Sequence, residues 1–281
     1  MPVLSPLVGV EWLLEHLGDP RLQILDVRWS VASGAQRHAY LSGHLPGAQF
    51  IDLDHDLAGP AGPRGRHPLP SPGAFATAMR RAGVSAASKV IAYDEVTGAA
   101  ARAWWLLRAG GHGRVQVLDG GMAAWLAAGG PLEEGPVTAP TGDFSCSGFG
   151  GWLSADETAD LVRRGGMLLD ARSRERFQGS PSPLDPRPGH VPGAQSLPWT
   201  DAYREGSVAG RPELEAALAR ASGGRPPEAA YCGSGVTACA LILALESHGY
   251  PGVRLFPGSW SEWALDPDRP AELSGSRPAG P

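Results

Sequence analysis

The sequence predicts an α/β fold made of two similar units, each a mainly parallel sheet flanked by helices. Three observations predict it. Short apolar runs that fit buried strands alternate along the chain with longer runs at helical spacing. Four blocks recur in the same order at offsets of 137 to 146 residues. One stretch, Tyr231-Cys232-Gly233-Ser234-Gly235-Val236-Thr237-Ala238, places a cysteine in a glycine-bearing loop between a strand and a helix.

Pro6 to Leu17 carries Trp12, Leu13, Leu14 and Leu17 at helical spacing. Leu22 to Val27 is a short apolar run closed by Asp26 and followed by Arg28 and Trp29, which fits a buried strand. After His44-Leu45-Pro46-Gly47-Ala48 and Phe50-Ile51-Asp52-Leu53-Asp54, a Gly- and Pro-rich loop runs from Ala58 to Pro72. A helix is expected over Phe75 to Ala82, a strand over Val90 to Tyr93 ending at Asp94, and a helix over Ala99 to Ala109. Val115 to Leu118, then Asp119-Gly120-Gly121, leads to a helix around Trp125.

The second half repeats this order. Leu169-Asp170-Ala171-Arg172 answers Leu25-Asp26-Val27-Arg28, and His190-Val191-Pro192-Gly193-Ala194 answers the block at His44. Tyr231-Cys232 answers Tyr93-Asp94, and Leu255-Phe256-Pro257-Gly258 with Trp263 answers Leu118-Asp119-Gly120-Gly121 with Trp125. Such matching implies an internal duplication. The expected organisation is a first unit over 1–135, a linker over 136–150, a second unit over 151–270 and a loose tail over 271–281.

Composition narrows the function. The net charge of -5 points to neither nucleic acid nor an acidic membrane surface. Three cysteines, Cys146, Cys232 and Cys239, make neither a disulfide framework nor a zinc spacing, and a reducing compartment fits them. No leader pattern and no stretch of membrane-spanning length is read, so a soluble, cytoplasmic protein is expected.

The chemistry concentrates at Cys232. Glycines at 233 and 235 let backbone N–H groups turn toward one point, and the start of the following helix adds unpaired N–H groups and partial positive charge. A sulfur there is expected to ionise more easily than a free thiol, whose pKa is about 8.5. The plain alternative is a small buried hydrophobe. The first half has Asp94 at this position, which cannot do thiol chemistry, so only the second unit keeps a nucleophile.

The paired His-x-Pro-Gly-Ala blocks, Tyr93-Asp94 against Tyr231-Cys232, and Leu118-Asp119-Gly120-Gly121 resemble the tandem rhodanese-domain sulfurtransferases. The loop from Cys232 to Thr237 is similar to that of the 3-mercaptopyruvate sulfurtransferases. The resemblance spans about Val10 to Pro270. It implies two tandem rhodanese-like domains and a persulfide on Cys232, with no metal and no organic cofactor. It also implies a small-molecule sulfur donor, and as acceptor cyanide or a thiol such as thioredoxin or a low-molecular-weight thiol. It suggests that Ser234 couples to a histidine and an aspartate of the other domain, which carry over to His67 and Asp54. The donor's carboxylate would meet Arg176 and Arg187, and the Cys232 loop, Gly233, Gly235, Val236 and Thr237, would cradle the sulfur. Otherwise His67 is a solvated loop histidine, Asp54 a turn residue, and the arginines surface ion pairs worth about 0–1 kcal/mol.

Three rival readings stand beside this one. A thiosulfate:cyanide sulfurtransferase would use the same fold, but the side chains at 233 and 234 carry no charge for a dianion. A cysteine phosphatase needs an arginine at the end of the loop, and positions 233 to 239 contain none. A non-catalytic persulfide carrier or binding module would keep the loop without turnover.

Overall fold

The computed structural model describes residues 5–273. The chain forms two compact units. The first comprises the residues up to Pro60, Leu69–Gly150 and Tyr203–Val208; the second comprises Ala61–Pro68, Gly151–Ala202 and the residues from Ala209 on. Residues 274–281 of the expected tail lie outside the described residues.

The first unit is built on a parallel sheet of Leu7–Val8 (β1), Leu22–Asp26 (β2), Gln49–Phe50 (β3), Lys89–Tyr93 (β4) and Val115–Leu118 (β5), in the order β1-β5-β4-β2-β3. All four pairings are parallel, with Asp26 beside Tyr93. Helices Val10–His16 (α1), Pro72–Arg81 (α2), Ala99–Ala109 (α3) and Gly121–Ala127 (α4) accompany it. Helix α2 begins earlier than the apolar pattern indicates. Ser71 caps it by accepting the Ala74 N–H, and Pro72 suits a first helical position that needs no N–H partner.

The second unit repeats the plan with Leu168–Asp170 (β6), Gln195–Ser196 (β7), Ala229–Tyr231 (β8) and Arg254–Leu255 (β9), all parallel, in the order β9-β8-β6-β7. Trp152 bridges Leu255 in parallel, at the place β1 takes in the first sheet. Its helices include Ala155–Arg163 (α5), Arg211–Ser222 (α6), Thr237–Ser247 (α7) and Ser259–Trp263 (α8). Every residue of α7 from Ala238 to Leu245 is buried, which is why its sequence is apolar on all sides. Leu161, Leu168, Tyr231, Phe256, Trp260 and Trp263 form the core, each large side chain stabilising the unit by about 1.5–3 kcal/mol. Trp260 and Trp263 are thus core residues.

The repeated blocks hold the strand ends. Arg28 grips the Asp26 carboxylate through Nε and Nη2 and also donates to the Gly43 carbonyl at 2.7 Å. Arg172 does the same to Asp170, and to the Gly189 carbonyl at 2.8 Å. His44 and His190 stack on Tyr40 and Phe177.

Two boundary segments are more firmly held than their composition suggests. The stretch after Pro136 has no regular element, yet Val137 N–H donates to Tyr40 Oη and buried Phe144 packs edge-on against Phe75. The tail expected to be loose from residue 271 is fastened at Glu272, which exchanges two backbone hydrogen bonds of 3.0 Å with His190. Among the described residues no helix is long and apolar enough to cross a membrane.

Candidate active site

Cys232 follows β8 directly, at the carboxyl end of the parallel strands where α/β sheets place their sites. It is buried, and its sulfur accepts the Gly235 N–H at 3.1 Å. Gly235 has φ +80°, and a Cβ on it would sit 2.3 Å from the Pro257 carbonyl oxygen, so this turn admits no side chain. Val236 and Thr237 open α7, whose first N–H groups point back toward the loop.

The far side of the loop is anchored by α8. Trp260 N–H donates to the Cys232 carbonyl at 3.0 Å, and Ser261 N–H to the Gly233 carbonyl at 2.9 Å. Ser259 Oγ accepts the Cys232 N–H at 3.1 Å and donates to the Phe256 carbonyl at 2.9 Å. The backbone of the nucleophile is therefore held at both its N–H and its carbonyl.

Segment 61–68 completes the same unit. Arg66 N–H donates to Ser261 Oγ at 3.0 Å, and that hydroxyl donates to the Gly258 carbonyl. Gly65 (φ +95°) lies so close that a Cβ would meet the Gly258 oxygen at 2.7 Å. This docking carries His67 to the loop, where its Nδ1 stands 2.8 Å from Ser234 Oγ. The hydroxyl donates to a neutral ring nitrogen and accepts from a protonated one. The sequence reading placed His67 with the half that lacks the nucleophile; in the fold it belongs to the unit that holds Cys232.

Two guanidinium groups flank the loop. A Cβ on Gly233 would lie 2.8 Å from Arg176 Nη2 and 3.0 Å from Arg66 Nη2. Arg176, on the short helix Arg174–Gln178, is paired with Asp185 at 2.9 and 2.5 Å. Asp185 also faces Arg172 Nη1 at 3.5 Å. Arg66 donates to the Leu184 carbonyl, and among the described residues no carboxylate forms an ion pair with it. Burial and the like charge of Arg176 lower its pKa, while Asp185 and Cys232 raise it.

The structure turns one expected residue, Arg187, away from this place. The Arg187 guanidinium donates to the Asp266 and Arg269 carbonyls at 3.2 and 2.5 Å, and its own carbonyl accepts the Trp260 indole N–H. It clamps the chain after α8 instead of facing the loop. Asp54 belongs to the first unit, where it accepts the Trp29 indole N–H at 3.0 Å. Cys239 lies one helical stretch further on and donates to the Gly235 carbonyl, so it serves the loop as a packed thiol.

Sequence reasoning missed Arg66, Ser259 and Ser261. A signal existed for Ser259: it stands four residues before Trp263 as Gly121 stands four before Trp125, and both have φ 55°. A serine at a position that suits glycine points to work for its hydroxyl. Arg66 could be flagged only by adjacency to His67.

Comparison with known proteins identifies the family of the chain. The rhodanese-like domain model matches residues 9–128 and 154–266. The chain is 42% identical over 276 residues, 95% of its own length and 97% of the other's, to a protein of Pseudomonas aeruginosa named probable 3-mercaptopyruvate sulfurtransferase. It is 43% identical over 268 residues, 90% of its length and 91% of the other's, to a putative thiosulfate sulfurtransferase, SseB, of Mycobacterium tuberculosis. The crystal structure of the Escherichia coli 3-mercaptopyruvate sulfurtransferase SseA superposes with a TM-score of 0.81 at 37% identity, covering 92% of this chain and all of that one. The chain belongs to the rhodanese family and consists of two tandem rhodanese-like domains, of which the second carries the cysteine.

Proposed function

We propose that the protein is a sulfurtransferase that takes sulfur from 3-mercaptopyruvate and releases pyruvate. Cys232 Sγ attacks the donor sulfur. An S–S bond forms, the donor C–S bond breaks, and its electron pair leaves on pyruvate as an enolate, whose carbon takes up a proton. A thiol acceptor then attacks the outer sulfur of the Cys232 persulfide and carries it away; cyanide in its place gives thiocyanate. The Gly235 N–H that meets Sγ suits both the attacking sulfur and the charge on the persulfide.

The observation that carries this reading is the contact between Ser234 Oγ and His67 Nδ1. An enolate must be protonated, and a hydroxyl coupled to an imidazole two residues from the nucleophile is a proton source. Arg176 supplies a planar cation for the donor's carboxylate. On the family resemblance, Asp54 is the carboxylate that supports His67 in this relay. The acceptor class, a low-molecular-weight or protein thiol, follows from the persulfide chemistry, and three cysteines outside any disulfide suit a reducing cytoplasm.

A second reading, thiosulfate as donor, draws support from the pair of arginines beside Gly233 and from the name of the mycobacterial relative. Sulfite leaves thiosulfate without needing a proton, so the Ser234–His67 pair has no task in it. The deciding experiment measures kcat/KM with each donor and cyanide as acceptor. We expect a preference for 3-mercaptopyruvate of tenfold or more, about 1.4 kcal/mol in transition-state binding, and no turnover by Cys232→Ser. A preference for thiosulfate overturns the donor assignment. Turnover by the variant overturns the nucleophile. No turnover of either donor by the native protein returns the weight to a persulfide carrier.

A further inference from the structure

We infer that Arg66 sets the charge selectivity of the Cys232 loop, as the cation beside it that no ion pair among the described residues engages. The loop's own side chains at 233 to 237 are uncharged, so any full charge near the sulfur comes from side chains of elements packed against it. Two guanidinium groups reach the Gly233 backbone, and the absence of a side chain there gives them room. They are not equivalent. Arg176 is held by both oxygens of Asp185 through Nε and Nη2, which offsets part of its charge and leaves Nη1 for a donor carboxylate. The neighbouring Arg172 is likewise matched by Asp170. Arg66 is bound through a neutral carbonyl, that of Leu184, which orients the guanidinium without cancelling its charge.

Arg66 also lines a cavity of about 380 Å³ with Gly62, Pro183, Leu184, Ser261 and Leu265, a mostly apolar wall in which this cation and Asp185 are the charged groups. A low-dielectric wall strengthens the attraction of a cation for an anion beside it. The inference rests on the sulfurtransferase reading for its donors, but not for its charge. A dianionic donor, thiosulfate, gains more from a cation held by no carboxylate than a monoanionic 2-oxo acid does. Arg66 is thus a specificity-determining residue that arrives on a segment of the first half of the sequence.

The side chain can be changed without undocking the segment, because the latch to Ser261 is the Arg66 backbone N–H. The test compares the native protein with Arg66→Gln and Arg66→Lys. In Arg66→Gln, kcat/KM for thiosulfate should fall about tenfold further than kcat/KM for 3-mercaptopyruvate, and Arg66→Lys should restore most of the difference. The second measurement needs no turnover: the rates at which anionic iodoacetate and neutral iodoacetamide alkylate Cys232, read by mass spectrometry of its peptide. Their ratio cancels any change in the thiol itself. It should drop severalfold in Arg66→Gln and recover in Arg66→Lys. An unchanged ratio overturns the inference, whatever the donors do. If the native protein turns over neither donor, the alkylation ratio alone decides on Arg66, and the failure belongs to the proposed reaction.

Discussion

Ser259 shows how the nucleophile is placed at the level of one residue. Its φ of 55° is a conformation that costs a non-glycine residue about 1–2 kcal/mol. Its counterpart Gly121 avoids that cost, and a Cβ there would strike the Asp94 carbonyl oxygen at 2.2 Å. Ser259 accepts the strain because its hydroxyl satisfies the buried Cys232 N–H. Leaving that N–H unpaired would cost about 1–3 kcal/mol. Ser234 invites a sharper test. If Ser234 and His67 act as one proton relay, their losses do not add. We expect Ser234→Ala and His67→Gln each to lower kcat with 3-mercaptopyruvate by about 10²–10⁴-fold, the usual span for a positioned acid or base. The double variant should be little worse than either single one. Fully additive losses would separate the two residues, and equal losses with thiosulfate would remove both from proton transfer.

At the level of elements, the paired strand ends are the strongest structural device. Asp170 and Arg172 are fully buried, at 0% and 1% side-chain exposure, and each satisfies the other. Removing one partner strands a buried charge. Asp170→Ala should therefore cost about 3–5 kcal/mol in urea unfolding, whereas Asp160→Ala, at an exposed pair with Arg163, should change stability by less than about 1 kcal/mol. A small effect of Asp170→Ala would mean that Arg172 finds another partner, with Asp185 the nearest candidate. These elements were legible in the sequence for a physical reason. A buried ion pair at a strand end needs Asp and Arg two residues apart, and the duplication writes that signature twice. The all-apolar α7 and the glycine turn before it were legible for the same kind of reason, since burial and positive φ constrain residue type locally. The destination of segment 61–68 was legible only through the family resemblance that set His67 beside Ser234. It depends on Gly65 fitting against Gly258 and on Arg66 reaching Ser261, a contact 195 residues apart in sequence. Nor did the neutral loop reveal its charge, because Arg66 and Arg176 reach it from other elements. Arg187 misled because its motif resembles a ligand motif, while its guanidinium is engaged by backbone carbonyls.

For the molecule as a whole, the duplication has distributed chemistry and support unequally. In the first domain Asp94 occupies the place of the nucleophile, and its carboxylate accepts N–H groups from Val96, Thr97 and Ala100 at 2.7 to 3.3 Å. A carboxyl group thus fills the cradle that the second domain offers to sulfur, its oxygens taking up the inward-turned N–H groups. Burial carries a general consequence for pH. His112 in the first domain and His190 in the second both have pKa values lowered by burial, below the usual imidazole value of about 6.5. Between the lowered value and 6.5 the unfolded chain binds more protons than the native one. Stability therefore rises with pH through that window and is lost as pH falls through it. Buried Asp94 and Glu262, whose pKa values burial raises, act with the opposite sign at lower pH. Comparing a variant with the native protein removes their contribution. His190 donates from Nδ1 to the Phe177 carbonyl at 2.7 Å, a bond glutamine can replace without titrating. The urea midpoint of the native protein should drop more between pH 7.5 and 5.5 than that of His190→Gln. Parallel pH profiles would show that protonation of His190 is not resisted by the fold.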